Sequence, residues 1–179
     1  MKYLVIILMS LMMKNDTTLL FDFGQNKQGQ DWRIINDTVM GGKSEAVVSF
    51  TSNTAILQGN LSLENNGGFS SFRSKFGNYD LSDCTQLKIR YNSHGRTFGI
   101  MLETSKFFFR PHYKYEINSG DDWETITIPI KEFKQYRLGN ATGEKINQDT
   151  FEDIIRIGCI LLDKKQGEFK LEIDAIAFF

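Results

Sequence analysis

The C-terminal stretch 169–179 reads FKLEIDAIAFF. A β-strand repeats every two residues, so Phe169, Leu171, Ile173, Ala175 and Ala177 are expected on one face and Lys170, Glu172, Asp174 and Ile176 on the other. That is the pattern of a core strand with one wetter face. Working outward from it, short apolar or alternating runs recur at 19–23, 44–50, 55–59, 69–74, 86–92, 98–103, 107–117, 124–128 and 157–162. Gly, Asn, Asp and Ser separate them, which is how strands joined by turns read. With the C-terminal run these make about ten strands, the number expected of two packed antiparallel sheets. The expected fold is therefore all-β, an antiparallel jelly-roll β-sandwich. Helical signals are confined to two short connectors: a turn within 130–136 after Pro129, and a turn at 151–155 with Asp149 as its N-cap. The polar stretch 137–148 is expected to be an exposed loop.

At 179 residues the chain is long enough for one well-buried core. Twenty-two acidic and 21 basic residues give a net charge of -1 without a block of one sign, which argues against a nucleic-acid partner. Fifteen Phe and six Tyr against two Pro favour an ordered β structure. Cys84 and Cys159 have neither C-x-x-C spacing nor a histidine pair nearby, so they read as two buried thiols, with a disulfide favoured only in an oxidising compartment. Residues 1–18 form an apolar N-terminal segment. Lys2 followed by the run Tyr3 to Met13 resembles a signal peptide, is too short to span a bilayer, and lacks a small-x-small cleavage site at its exit. The chain is expected in the periplasm or outside the cell if that run is a signal, and in the cytoplasm otherwise. The single folded domain is expected over 19–179.

Two segments carry more than framework. Residues 32–44, WRIINDTVMGGKS, run a strand-like stretch into Asn36, Asp37 and Thr38 and then into Gly41 and Gly42; adjacent glycines allow positive φ and close backbone approach. Residues 59–73, GNLSLENNGGFSSFR, place the turn signal Asn65-Asn66-Gly67-Gly68 between two alternating runs. On spacing alone each reads as a tight turn whose Asn and Asp side chains cap their own backbone. Neither is a phosphate-binding glycine loop.

Four motifs together carry a family resemblance: W-x-I-x-N-D-T-V-M-G-G-x-S from Trp32, G-x-L-S-L-E-N-N-G-G-F-S-S-x-R from Gly59, W-x-x-x-x-I-P from Trp123 and K-x-G-x-F-x-L-E-I-D-x-I from Lys165. From about Trp32 to Phe179 the chain resembles the complex I intermediate-associated protein 30 family. The resemblance implies a galactose-binding-domain-like sandwich. For mitochondrial members it implies a chaperone-like assembly factor attending intermediates of the membrane arm of NADH:ubiquinone oxidoreductase. Related domains occur alone in bacteria, and others are fused to dehydrogenase-like domains in photosynthetic organisms. One departure stands out: many members carry G-D-G-R where this chain has Ser93-His94-Gly95-Arg96.

The residues point to binding rather than catalysis, with no cofactor and no metal. His94 and His112 have no metal-ligand spacing, and only Asp37 and Glu64 suggest an acid and base facing each other across adjacent loops. The candidate contacts are Trp32, Asn36, Asp37, Met40, Gly41, Gly42 and Ser44 from the first loop, Glu64, Asn65, Asn66, Gly67, Gly68, Phe69 and Arg73 from the second, and Arg96. The expected partner is a protein client, a respiratory-complex subunit or assembly intermediate, with a carbohydrate as the alternative and no transmembrane span. Phe107, Phe109, Tyr113 and Tyr115, interleaved with Arg110 and Lys114, read either as a core strand or as a stacking surface.

Overall fold

A computed structural model of the chain describes residues 19–24, 28–118 and 120–179. The candidate signal segment therefore lies outside the described residues. The strands, in chain order, are β1 (Leu19–Asp22), β2 (Arg33–Asn36), β3 (Glu45–Phe50), β4 (Ala55–Leu61), β5 (Ser70–Arg73), β6 (Gln86–Asn92), β7 (Phe98–Glu103), β8 (His112–Ile117), β9 (Glu124–Pro129), β10 (Lys134–Arg137), β11 (Asn140–Lys145), β12 (Arg156–Leu161) and β13 (Gly167–Phe178). They form two antiparallel sheets. One runs β3-β4-β13-β6-β9 with β1 also paired to β13; the other runs β11-β10-β8-β7-β12-β5-β2. The expected jelly-roll sandwich is the fold. None of the described helices is long and apolar enough to cross a membrane.

The inner faces meet in one core, to which β7 gives Phe98, Ile100 and Leu102, β12 gives Ile157, Cys159 and Leu161, and β6 gives Leu87, Ile89 and Tyr91. Trp32 anchors an aromatic cluster, with Phe23 at 5.0 Å edge-on and Phe21 and Phe72 at 5.1 and 5.0 Å. Cys84 and Cys159 are both buried thiols.

Four expectations need correction. First, the alternation of β13 does not run unbroken. Asp174 is an extra residue in the pairing with β6, where Ile173 opposes Tyr91 but Ala175 opposes Arg90. A bulge of one residue reverses the phase of everything after it. Ile176 and Phe178 therefore turn into the core, and Ala175 and Ala177 do not. The same step lets β13 pair with β4 along its first half and with β1 along its second.

Second, residues 137–148 are not a loop. β10 and β11 make a hairpin on the sheet edge, turning through Leu138 and Gly139 at positive φ, as two-residue hairpin turns require. Neither strand alternates clearly in sequence. β10 forms because Lys134, Gln135 and Tyr136 pair with β8, an interaction that only the assembled sheet supplies.

Third, 107–117 is not one strand. Pro111 has no N–H for the ladder and disfavours helical backbone at Arg110, so β8 begins at His112 and Phe107 to Arg110 form a turn closed by the Arg110 N–H donating to the Phe107 carbonyl at 3.0 Å.

Fourth, the helical connectors are 3-10 turns. Gln148–Asp153 is capped by Asn147, whose Oδ1 accepts from the Thr150 N–H, rather than by Asp149; after Ile130–Glu132 the chain re-enters a strand.

Candidate functional site

The two glycine-gated loops are joined, and the joint is Asp37. Its side chain is 1% exposed. Oδ1 accepts the Ser44 N–H at 2.8 Å, and Oδ2 accepts the Ser44 hydroxyl at 2.5 Å, the Gly68 N–H at 2.5 Å and the Phe69 N–H at 3.2 Å. Its own N–H donates to the Phe69 carbonyl at 3.2 Å. Burial alone would disfavour the charged carboxylate, but the donors from Ser44, Gly68 and Phe69 outweigh it and hold the carboxyl below its ordinary range. Glycine is what permits this approach. A Cβ on Gly42 would lie 2.4 Å from the Asp37 Cγ, and one on Gly67 would lie 2.6 Å from Oδ2.

Around this joint the remaining polar groups are paired as well. The Ser44 hydroxyl accepts the Ser62 N–H at 3.0 Å, the Ser70 hydroxyl donates to Asn36 Oδ1 at 2.8 Å, and the Asn65 amide donates to the Gly41 carbonyl at 3.0 Å. Asn65 and Asn66 both take left-handed backbone, which asparagine tolerates. Lys43 and Glu64 form an exposed ion pair at 2.5 Å. Glu64 therefore sits at the surface while Asp37 is enclosed, and the carboxylates do not form an acid and base pair facing a common cleft. Beside the exposed Lys43, Glu64, Asn65 and Asn66 the joined loops also turn apolar side chains outward: Val39 is 69% exposed, Met40 65%, and Leu63 is exposed too. The sequence reading named Met40 but passed over Val39 and Leu63, which carry no motif chemistry of their own.

Beside the joint lies an open cleft of about 980 Å³. Asn36, Thr38 and Ser44 form one wall, Gln58, Gly59 and Asn60 of β4 another, and His94, Glu168, Phe169 and Lys170 the far side. His94 occupies left-handed backbone, its N–H donating to Asn92 Oδ1 at 2.9 Å, and its Nε2 lies 2.8 Å from Glu172. The His94 ring thus meets a carboxylate.

The other candidates lie apart from this surface. Trp32 is in the core. Arg96 is a buried clamp: it grips Asp163 with Nε and Nη2 at 2.7 and 2.9 Å and donates to the carbonyls of Glu168 and Lys165. Its guanidinium stands 6.0 Å from the ring of the core residue Phe169. Arg73 belongs to the opposite end of the seven-stranded sheet. It shares Glu103 with Arg156, at 3.1 Å for Arg73 Nη1 and 2.9 Å for Arg156 Nη2. Burial lowers the Arg73 guanidinium to about 10, against the pull of Glu103. Among the described residues no group of three or more His, Cys, Asp or Glu side chains is arranged to hold a metal ion.

The architecture defines a galactose-binding-like jelly-roll sandwich, the fold of carbohydrate-binding modules. A family 11 module of the cellulase Lic26A-Cel5E from Clostridium thermocellum is similar over 88% of this chain and 93% of its own, with a TM-score of 0.63 and 16% identity. A family 11 module from Clostridium thermocellum in complex with a mixed-linked tetrasaccharide has a TM-score of 0.59 and 20% identity, over 84% of this chain and 89% of that one. These likenesses establish the fold. Residues 21–173 match the model of complex I intermediate-associated protein 30, and the chain belongs to that family. The mitochondrial protein of that name from Mus musculus is 26% identical over 90% of this chain, and a probable counterpart from Caenorhabditis elegans is 23% identical over 92%. The chain spans 56% and 55% of these relatives' lengths, about half of each.

Proposed function

We propose that the chain is a non-catalytic binding module of the assembly-factor kind, holding a protein client, a subunit or assembly intermediate of a respiratory complex, on the surface of the two joined loops. The observation that carries this reading is a rigid base with three exposed apolar side chains above it, flanked by polar ones. Asp37 fixes both loops through hydrogen bonds to Ser44, Gly68 and Phe69, and Val39, Met40 and Leu63 stand exposed above it. Apolar side chains on pinned backbone lose little entropy when a partner covers them, which is what a protein interface core needs. The names of the related proteins direct the reading to complex I intermediates. The test is affinity capture from the protein's own cells. The wild type should retain subunits of a respiratory complex, and Val39→Asp with Met40→Asp should lose them at unchanged melting temperature. Capture that survives both substitutions, or capture of no such subunit, removes the proposal.

A second reading, a carbohydrate-binding module, draws on the cleft, where Asn36, Thr38, Gln58, Asn60 and His94 offer donors and acceptors suited to sugar hydroxyls. Against it, the cleft lining includes no Tyr or Trp, and its one Phe, Phe169, is a core residue that presents no open face for stacking. A glycan array without signal above background would dispose of this reading.

A further inference from the structure

The opposite end of the seven-stranded sheet carries a surface that the client reading does not use. In the turn between β7 and β8, Phe107 is 63% exposed and Phe108 72%, and Phe109 is exposed beside them. Their rings form a small cluster, Phe107 and Phe109 stacked at 5.5 Å and Phe108 edge-on to Phe109 at 5.8 Å. The turn is preorganised by the Phe107 N–H donating to the Ser105 hydroxyl and the Arg110 N–H donating to the Phe107 carbonyl. Arg137 Nε donates to the Phe109 carbonyl at 3.2 Å, which brings the β10-β11 hairpin tip and its exposed Leu138 alongside the rings. Segment 104–111 and the hairpin tip 136–141 contain Lys106, Arg110 and Arg137 and no Asp or Glu; Lys134, farther back on β10, lies beside Glu132. Glu103, at the root of the turn, is already engaged by Arg73 and Arg156.

We infer that these two loops dock the protein peripherally on an anionic lipid surface, the phenyl rings entering the headgroup boundary and Lys106, Arg110 and Arg137 meeting lipid phosphates. Charge complementarity selects this occupant. Exposed apolar rings with Lys106, Arg110 and Arg137 beside them match a negative surface, and aromatic rings with Lys and Arg beside them are the chemistry of shallow interfacial insertion. Each cation near such a surface strengthens attachment by about fivefold, and the attraction falls with added salt. Net charge does not predict this, because Lys106, Arg110 and Arg137 stand beside the rings of a chain whose overall charge is -1.

The experiment is flotation of the full chain with vesicles of phosphatidylcholine alone and of equimolar phosphatidylcholine and phosphatidylglycerol. The protein should float with the anionic vesicles and not with the neutral ones. Phe107→Ser with Phe108→Ser should lower bound protein by at least about tenfold, and Lys106→Gln with Arg110→Gln by about as much, with melting temperatures held near wild type. Because every variant keeps the same N-terminal apolar run, a difference between them reports the loops. Absence of flotation with anionic vesicles overturns the inference, and so does flotation that the phenylalanine pair does not affect. If the rings serve a protein partner instead, the first of these results appears. Neither result bears on client capture through Val39 and Met40, so the two proposals fail separately.

Discussion

The two ends of the seven-stranded sheet spend their chemistry in opposite ways. Where Asn36 of β2 opposes Ser70 of β5, Asp37, Ser44 and Ser70 turn inward onto one another while Val39, Met40 and Leu63 turn out; the Asp37 carboxylate alone receives four donors. Where Arg156 of β12 opposes Glu103 of β7, the charged groups sit on the sheet's outer face and a loop of phenyl rings stands beyond them. At the first end the motif residues build a shape, and the exposed apolar surface falls to motif positions without polar chemistry, Val39 and Leu63. At the second end the aromatic run supplies most of the exposed aromatic surface among the described residues.

Perturbing the Asp37 end should give the largest effects on folding. Asp37→Asn puts an amide N–H where a backbone N–H already points and removes the charge from the remaining bonds. It should cost about 3 kcal/mol in urea denaturation; a loss below about 1 kcal/mol would break the claim that this carboxylate ties the loops together. Gly67→Ala forces a methyl group against Asp37 Oδ2 and should cost about 2 kcal/mol by the same measurement.

At the far end, Glu103→Gln leaves Arg73 and Arg156 without their shared carboxylate, at a cost of about 2 kcal/mol. His112 sharpens the contrast through pH. Burial, with Arg73 and Lys114 nearby, lowers its imidazole to about 4 against an ordinary 6.5, with Glu103 opposing. A folded value below the unfolded one means that the unfolded chain binds more protons between those limits. This contribution is therefore complete above pH 6.5 and is lost as pH falls toward 4. His112→Gln should flatten a melting-temperature profile across that window. Asp37 titrates in the same sense but lower: its stabilisation is present above the ordinary 3.8 and is lost as pH falls through its depressed folded value, a limb that Asp37→Asn should remove.

The smallest effect on folding belongs to Phe107→Ser with Phe108→Ser. These exposed rings should change stability by only about 0.5 kcal/mol while abolishing vesicle attachment. A large loss of stability here would mean that the rings belong to the core, and the two ends would no longer differ in kind.

The fold and the two glycine-bearing turns were legible because both rest on local signals, whereas the joint between the loops, made by Asp37 with Gly68 and Phe69, is a contact across some thirty residues. Alternation marked most strands, and Gly41, Gly42, Gly67 and Gly68 marked where backbone had to pass close to another group. The cleft was less legible, since Gln58, His94 and Lys170 come from strands and turns that pairing alone makes neighbours. The reversal of phase at Asp174 was hidden for a related reason: a single-residue bulge leaves no mark in a pattern that reads equally well without it.

By itself the sequence determined an all-β chain, its main strands, its family and the two glycine-bearing turns, because side-chain alternation and backbone freedom are properties of neighbouring residues. Only the tertiary structure decided that the Asp37 carboxylate would be enclosed, that β10 and β11 would form on the edge of β8, and that Arg137 and Leu138 would stand beside Phe107 to Arg110. Those outcomes depend on hydrogen bonds and burial between segments tens of residues apart, and those contacts exist only once the sheets have assembled.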